Sequence, residues 1–227
     1  MSEFQGITMD MLFLLAENRF QDSKAFYEEH KPAIKAGVIQ PLRDLVATLM
    51  PSLLAVDPLI TGNVSRVRRD NRFTHDKSMY RENLWITLMR DKRAWDWCVP
   101  AFYLDFSLNH AEWGVGFYSA TPAVMKALRA IADKDPKRVL AAIAAAEKAG
   151  FTLEGNPYAK PRSGPDTPDA LRPLYDCRHV AMTRSEPPTM VGDPALPERL
   201  ERGFMALVPF YTLLTEAMEN ALGVRQK

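Results

Sequence analysis

The chain has 227 residues, of which 47% are hydrophobic, and its 29 basic and 28 acidic side chains leave a formal net charge of +1. A charge so near zero excludes a general polyanion binder, so any nucleic-acid role has to be local. No apolar run approaches the roughly 20 residues that span a bilayer, and Cys98 and Cys177 match no zinc or redox spacing.

These bounds lead to the expectation of a cytoplasmic protein with reduced thiols and no contact with a membrane. Residues 1–6 lack the basic start and apolar run of a signal peptide. A chain of this length is expected to bury roughly 70% of its unfolded surface around one core, and residues 1–227 read as a single domain.

Thr8 is placed to cap a helix whose residues Met9, Leu12, Phe13 and Ala16 share one face. Asn18–Asp22 breaks it, and Asp22 or Ser23 can cap the next helix, which carries Phe26, Tyr27, His30 and Ile34. Gly37 and Pro41 predict a bend, because the proline ring forbids a normal interior turn. Leu42, Leu45, Val46 and Leu49 continue the apolar stripe to Pro51. The N-terminal part, about residues 8–50, is therefore helical.

Residues from about 60 onward mix sheet and helix. Alternation at Val64, Arg66 and Arg68 predicts a strand, followed by a loop over Asn71–Ser78. Leu84–Met89 reads as a second strand. Ala101–Leu108 and Trp113–Tyr118, joined by a turn at Asn109–Glu112, give the strongest hairpin signal. Gly114 and Gly116 leave room on one face for another backbone or a ligand.

Thr121-Pro122 and Asp135-Pro136 are two helix starts with a capping residue and proline at the first helical position. A short strand is expected over Phe151–Gly155, a surface loop over Asn156–Pro168, a short helix over Pro168–Tyr175 and a strand over His179–Thr183. A connector spanning Pro187–Pro197 leads to a last amphipathic helix over Glu198–Ala221. Without repeated strand–helix–strand units, the order reads as α+β, an antiparallel sheet flanked by helices.

The stretch hardest to explain as scaffold is Arg66–Arg81. It holds Arg66, Arg68, Arg69, Arg72, Lys77 and Arg81 against Asp70 and Asp76, a local net charge of +4. Lys and Arg rarely sit fully buried without partners, yet Val67, Phe73 and Tyr80 need an apolar anchor. A folded, cation-rich loop follows.

The run Arg66-Val67-Arg68-Arg69-Asp70-Asn71-Arg72-Phe73-Thr74-His75-Asp76-Lys77-Ser78-Met79-Tyr80-Arg81 resembles a signature R-I-x-R-D-x-R-F-S-x-D-K-x-P-Y-K. Phe26-Tyr27-Glu28-Glu29-His30-Lys31 is similar to a helix W-F-E-x-x-K, and Leu128-Arg129 and Leu153-Glu154-Gly155 fall where similar patterns belong. These are marks of the bacterial and fungal family catalogued as domain of unknown function 2461. The similarity runs over nearly the whole chain. Met79 stands where that pattern has proline, Arg81 where it has lysine and Phe26 where it has tryptophan. The resemblance implies one compact domain and no established activity.

A guanidinium grips phosphate or carboxylate through two parallel hydrogen bonds, and lysine adds a point charge. The candidate ligand-binding set is therefore Arg66, Arg68, Arg72, Asp76, Lys77 and Tyr80, with a small phosphate- or carboxylate-bearing ligand. Two alternatives stay open. One is a nucleic-acid module that adds Trp85, Trp95, Trp97 and the cations Arg90, Lys92 and Arg93. The other is an internal network pairing Arg69 or Arg72 with Asp70, Asp76, Glu28 or Glu82.

His75 beside Asp76 invites a proton-transfer reading, but neighbours on an extended chain point apart. Asp70 and Asp76 could offer oxygen ligands to a divalent ion, which the surrounding cations would repel. The four histidines form no metal pattern, and no phosphate-binding glycine loop or nucleophile elbow is present. Lys160–Gly164 is a second small basic loop. No cofactor and no metal is expected, and neither enzyme activity nor oligomeric state is legible.

Overall fold

The computed structural model describes residues 4–72, 75–95 and 97–223. Helix α1 spans Met9–Gln21 and ends at Asp22, which adopts the left-handed conformation (φ 43°). Ser23 then caps α2, Lys24–Ile34, its hydroxyl accepting from the Phe26 N–H. Five residues of π-helix, Lys35–Ile39, lead into α3, Gln40–Val56.

The π-turn answers the conflict posed by Pro41. The Gln40 N–H bonds back to the Lys35 carbonyl, so the register slips one residue just ahead of the position that has no N–H. The axis bends there and the helix continues. It also runs through Pro51 to Val56, past the expected end, with Pro51 exposed on the solvent side.

Six antiparallel strands form one sheet in the order β1-β2-β3-β4-β6-β5: β1 Ile60–Val64, β2 Leu84–Arg90, β3 Pro100–Phe106, β4 Ala111–Phe117, β5 Thr152–Pro157 and β6 Cys177–Glu186. The expected hairpin is β3–β4, with Tyr103 opposite Gly114 and Ala101 opposite Gly116. The room beside the two glycines is taken by the β6 backbone. A Cβ on Gly114 would overlap the Met182 carbonyl oxygen, and one on Gly116 would overlap Ala181.

Alternation assigns the two faces of the sheet. Leu84, Ile86, Leu88, Phe102, Leu104, Phe106, Trp113, Val115 and Phe117 are buried on one of them. α4 (Pro122–Lys134), α5 (Pro136–Lys148) and α7 (Leu196–Leu222) cover this face together with α3. Thr121 and Asp135 cap α4 and α5 as expected. On α7, Phe204 packs against Phe102 and Trp113 (ring centroids 5.2 and 5.8 Å), and Tyr211 packs on Phe102 at 4.8 Å.

The opposite face carries half-buried Trp85, Thr87, Tyr103, Asp105 and Glu112. There the Tyr103 hydroxyl donates to Glu112 at 2.8 Å. The short α6, Arg172–Asp176, leads directly into β6. No helix among the described residues is long and apolar enough to cross a membrane.

A buried charge network joins the sheet edge to α7. Asp57, 5% exposed, accepts from Arg90 Nε at 2.7 Å and from the Tyr211 hydroxyl at 2.5 Å. The same guanidinium reaches Glu219 at 2.6 Å. Burial by itself pushes the Asp57 carboxyl up, but the hydrogen bonds from Tyr211, Arg90 and the Leu59 N–H outweigh it and hold the group below the usual carboxylate value. No sequence pattern announced this network.

Candidate anion-binding site

Strand β1 stops at Val64, so Arg66 and Arg68 are not sheet residues, contrary to the expected strand. The reason is local. Ser65 N–H still reaches the Trp85 carbonyl, but the Ser65 hydroxyl, rather than a backbone carbonyl, accepts the Trp85 N–H at 2.8 Å. The chain then leaves the sheet and pairs with itself. Arg69 N–H donates to the Met79 carbonyl and Arg81 N–H to the Val67 carbonyl, bracketing one bridge between Arg68 and Tyr80.

The stem of this loop is fastened to the first two helices. One carboxylate oxygen of Asp22 accepts the backbone N–H groups of Met79 (2.7 Å) and Tyr80 (3.2 Å). The Tyr80 ring, 2% exposed, stacks on Tyr27 of α2 at 4.7 Å. Burial pushes the Tyr80 phenol above its ordinary value. Lys31 stands 5.7 Å over the Tyr27 ring and pairs with Glu28 at 2.9 Å. Val67 is buried beneath the stem. Phe73, the third expected anchor, lies outside the described residues.

The cations divide into two groups. Arg72 grips Asp70 through two parallel bonds, Nε at 2.8 Å and Nη2 at 2.7 Å. Its side chain and then its backbone N–H pull the Asp70 carboxyl down to about 2. Arg69 meets Asp76 at 2.5 Å, and Arg19 from α1 reaches the same oxygen at 3.4 Å. The other Asp76 oxygen accepts the Ser78 N–H at 3.0 Å. That bond first, then Arg69 and Arg19, holds the Asp76 carboxyl below its ordinary value.

Lys77 Nζ donates to the Asn71 carbonyl at 3.2 Å, and the Asn71 amide returns a bond to the Lys77 carbonyl at 2.7 Å. These contacts are the internal network of the third reading, with Arg19 and Asp22 as members that the sequence did not nominate.

Arg66, Arg68 and Arg81 make no ion pair with a carboxylate among the described residues. All three line one open cleft of about 460 Å³ together with Arg69, Asp70, Asn71, Arg72, Met79 and Trp85. Arg81 lies over the Trp85 ring at 4.6 Å. Burial, and next the neighbouring Arg69 charge, push the Arg81 guanidinium below its ordinary value.

Among the candidate set from the sequence, Arg66, Arg68 and Arg72 face the cleft. Asp76 and Lys77 are committed to holding the loop closed, and Tyr80 is committed to the core. Arg81 and Trp85 are among the cleft residues that sequence reasoning left out of its site, with Arg69, Asp70, Asn71 and Met79. The signal for Arg81 was present in the signature itself, and Trp85 was noted only as a nearby ring.

His75 is exposed. Among the described residues, no group of His, Cys, Asp and Glu is arranged to hold a metal ion.

The two segments that carried the resemblance thus pack on each other, Tyr27 against Tyr80. No curated protein matches the chain. A family model described as a conserved hypothetical protein, DUF2461, matches residues 10–213. The chain belongs to that family.

Proposed function

We propose that the protein binds a small anion, phosphate- or carboxylate-bearing, in the cleft above Trp85, with Arg66, Arg68 and Arg81 as its direct partners and Arg72 at the rim. The observation that carries this reading is electrostatic. Three guanidinium groups that form no ion pair among the described residues line one cleft whose single carboxylate, Asp70, is already gripped by Arg72, and one of the three is half-buried on an aromatic ring. Like charges gathered around one cleft repel each other and are relieved by an anion, most at the half-buried Arg81. Asp76, Lys77 and Tyr80 support the site from behind by fixing the loop.

The nucleic-acid alternative draws less support. Its stripe needs Arg90, whose side chain is 12% exposed and is spent on Asp57 and Glu219. Lys92 is drawn over the Trp97 ring at 4.7 Å.

The test is a thermal-shift titration of wild type, Arg68→Gln and Arg81→Gln with inorganic phosphate, pyrophosphate, malonate and a short single-stranded DNA. A ligand present at 100 times its dissociation constant adds about 2.7 kcal/mol. Stabilisation of the wild type by one small anion, reduced in both variants, is the expected result. Stabilisation by none of the small anions, or equal stabilisation of all three proteins, overturns the reading. Stabilisation by DNA alone transfers it to the alternative.

A further inference from the structure

A second concentration of cations, remote in sequence from the first, gathers around Tyr158. Tyr158 follows β5, and its half-buried ring has three guanidinium carbons within 6 Å of its centroid: Arg162 at 3.4 Å, Arg178 at 5.5 Å and Arg129 at 5.9 Å. They come from three separate elements, the loop after β5, the start of β6 and helix α4.

Arg129 is anchored, its Nε donating to the Leu174 carbonyl at 2.9 Å and its Nη2 to the Cys177 carbonyl at 3.0 Å. Neutral carbonyls orient that group without cancelling its charge. Arg162 and Arg178 form no ion pair among the described residues.

The nearby carboxylates Asp176 and Asp133 are hydrogen-bonded to neutral donors and form no ion pair with these arginines. Asp176 takes the Arg162 and Ser163 backbone N–H groups at 2.6 and 2.8 Å and the Ser163 hydroxyl at 2.9 Å. It thereby fixes the loop so that the Arg162 side chain lies on the ring. Asp133 accepts the Tyr175 hydroxyl at 2.5 Å.

A guanidinium stacked flat on a phenol keeps its N–H edge free for an incoming oxygen. Arg162 lies close over the ring centroid, Arg178 nearby is exposed, and Arg129 adds a third charge. Two guanidinium groups from separate elements match the several oxygens of a phosphate or diphosphate better than the two of a single carboxylate.

We propose that the Tyr158 platform with Arg162, Arg178 and Arg129 is a second anion site, independent of the first cleft, for a small molecule carrying a diphosphate or two phosphates. Tyr158 is its positioning residue, and Arg162 and Arg178 are its contact residues.

The experiment is a calorimetric titration with inorganic pyrophosphate. The parent protein is Arg66→Gln/Arg68→Gln, in which the first cleft is disabled, so failure of the first site does not bear on the second. Arg178→Gln and, as a charge control on another element, Arg202→Gln are added to it one at a time. Both side chains are exposed, so neither change burdens folding. The expected result is one-site binding by the parent, weakened at least tenfold by Arg178→Gln and unchanged by Arg202→Gln. Absence of binding by the parent, insensitivity to Arg178→Gln, or equal weakening by both substitutions overturns the proposal.

Discussion

Asp22 is the residue through which the first two helices hold the cation-rich loop, and its replacement tests that attachment directly. Its carboxylate accepts two backbone N–H groups, from Met79 and Tyr80, 57 and 58 residues away in sequence. Hydrogen bonds to a charged group contribute about 1.5–3 kcal/mol each, and half-exposure of Asp22 places this pair toward the lower end. Asp22 also sits at φ 43°, in the left-handed region. Alanine tolerates that region less well than Asp or Asn, at a cost of about 1 kcal/mol.

Asp22→Ala is therefore expected to destabilise the fold by about 2–4 kcal/mol. Asp22→Asn keeps an acceptor oxygen and the backbone preference, and is expected to cost about 1 kcal/mol. Urea denaturation gives both numbers. Hydrogen exchange of the Met79 and Tyr80 amides locates the effect, since in the alanine variant these amides lose their acceptor. If Asp22→Ala unfolds within about 0.5 kcal/mol of wild type, and both amides stay protected, the loop is held by something other than Asp22 and the reasoning fails.

Removing Arg90 by Arg90→Ala strands Asp57 as a buried carboxylate, and breaking a buried pair costs about 3–5 kcal/mol; chemical denaturation at pH 7 measures it. In the wild type the Asp57 carboxyl is held below its ordinary value. Its contribution is therefore full above the unfolded value of about 3.9 and is lost as the pH falls through the folded one. Without Arg90 burial dominates and favours the protonated acid, so the deficit of the variant should narrow between pH 7 and pH 3; a deficit that widens refutes the assignment. At the exposed Asp70, a carbon-detected NMR titration should find the carboxyl near about 2 in the wild type and back toward about 3.9 in Arg72→Ala. An unchanged titration would mean that the Arg72 grip on Asp70 is not held in solution.

Local signals carried the sheet and most helix starts. The alternation of Phe102, Leu104 and Phe106 against Trp113, Val115 and Phe117 defined the hairpin because every second side chain meets the same core. Thr121 and Asp135 marked helix starts because a capping oxygen and a proline at the next position act within four residues.

The cation-rich loop was legible as a feature but not as a geometry. Arg66 and Arg68 continue an alternating pattern, and nothing in that pattern reveals that the Ser65 hydroxyl replaces a backbone acceptor and lets the chain leave the sheet. Which arginines are neutralised was equally hidden. Asp70 and Asp76 were visible partners. Arg19 reaches Asp76 across 57 positions, and such a pairing exists only once the helices have packed.

Helix α7 has a consequence for how this chain reaches its native state. Among the described elements it is the last to be synthesised, yet Phe204, Leu207, Phe210, Tyr211 and Leu214 are buried in the core, and Glu219 closes the Arg90 network. Until those residues leave the ribosome, the apolar face of β2, β3 and β4 lacks its central cover. During translation the growing chain presents a strand-rich, water-exposed apolar surface, the kind of species that aggregates or engages chaperones. Completion of the fold thus waits on the emergence of α7, and a chain truncated before Leu196 should accumulate as insoluble material rather than as a smaller folded protein.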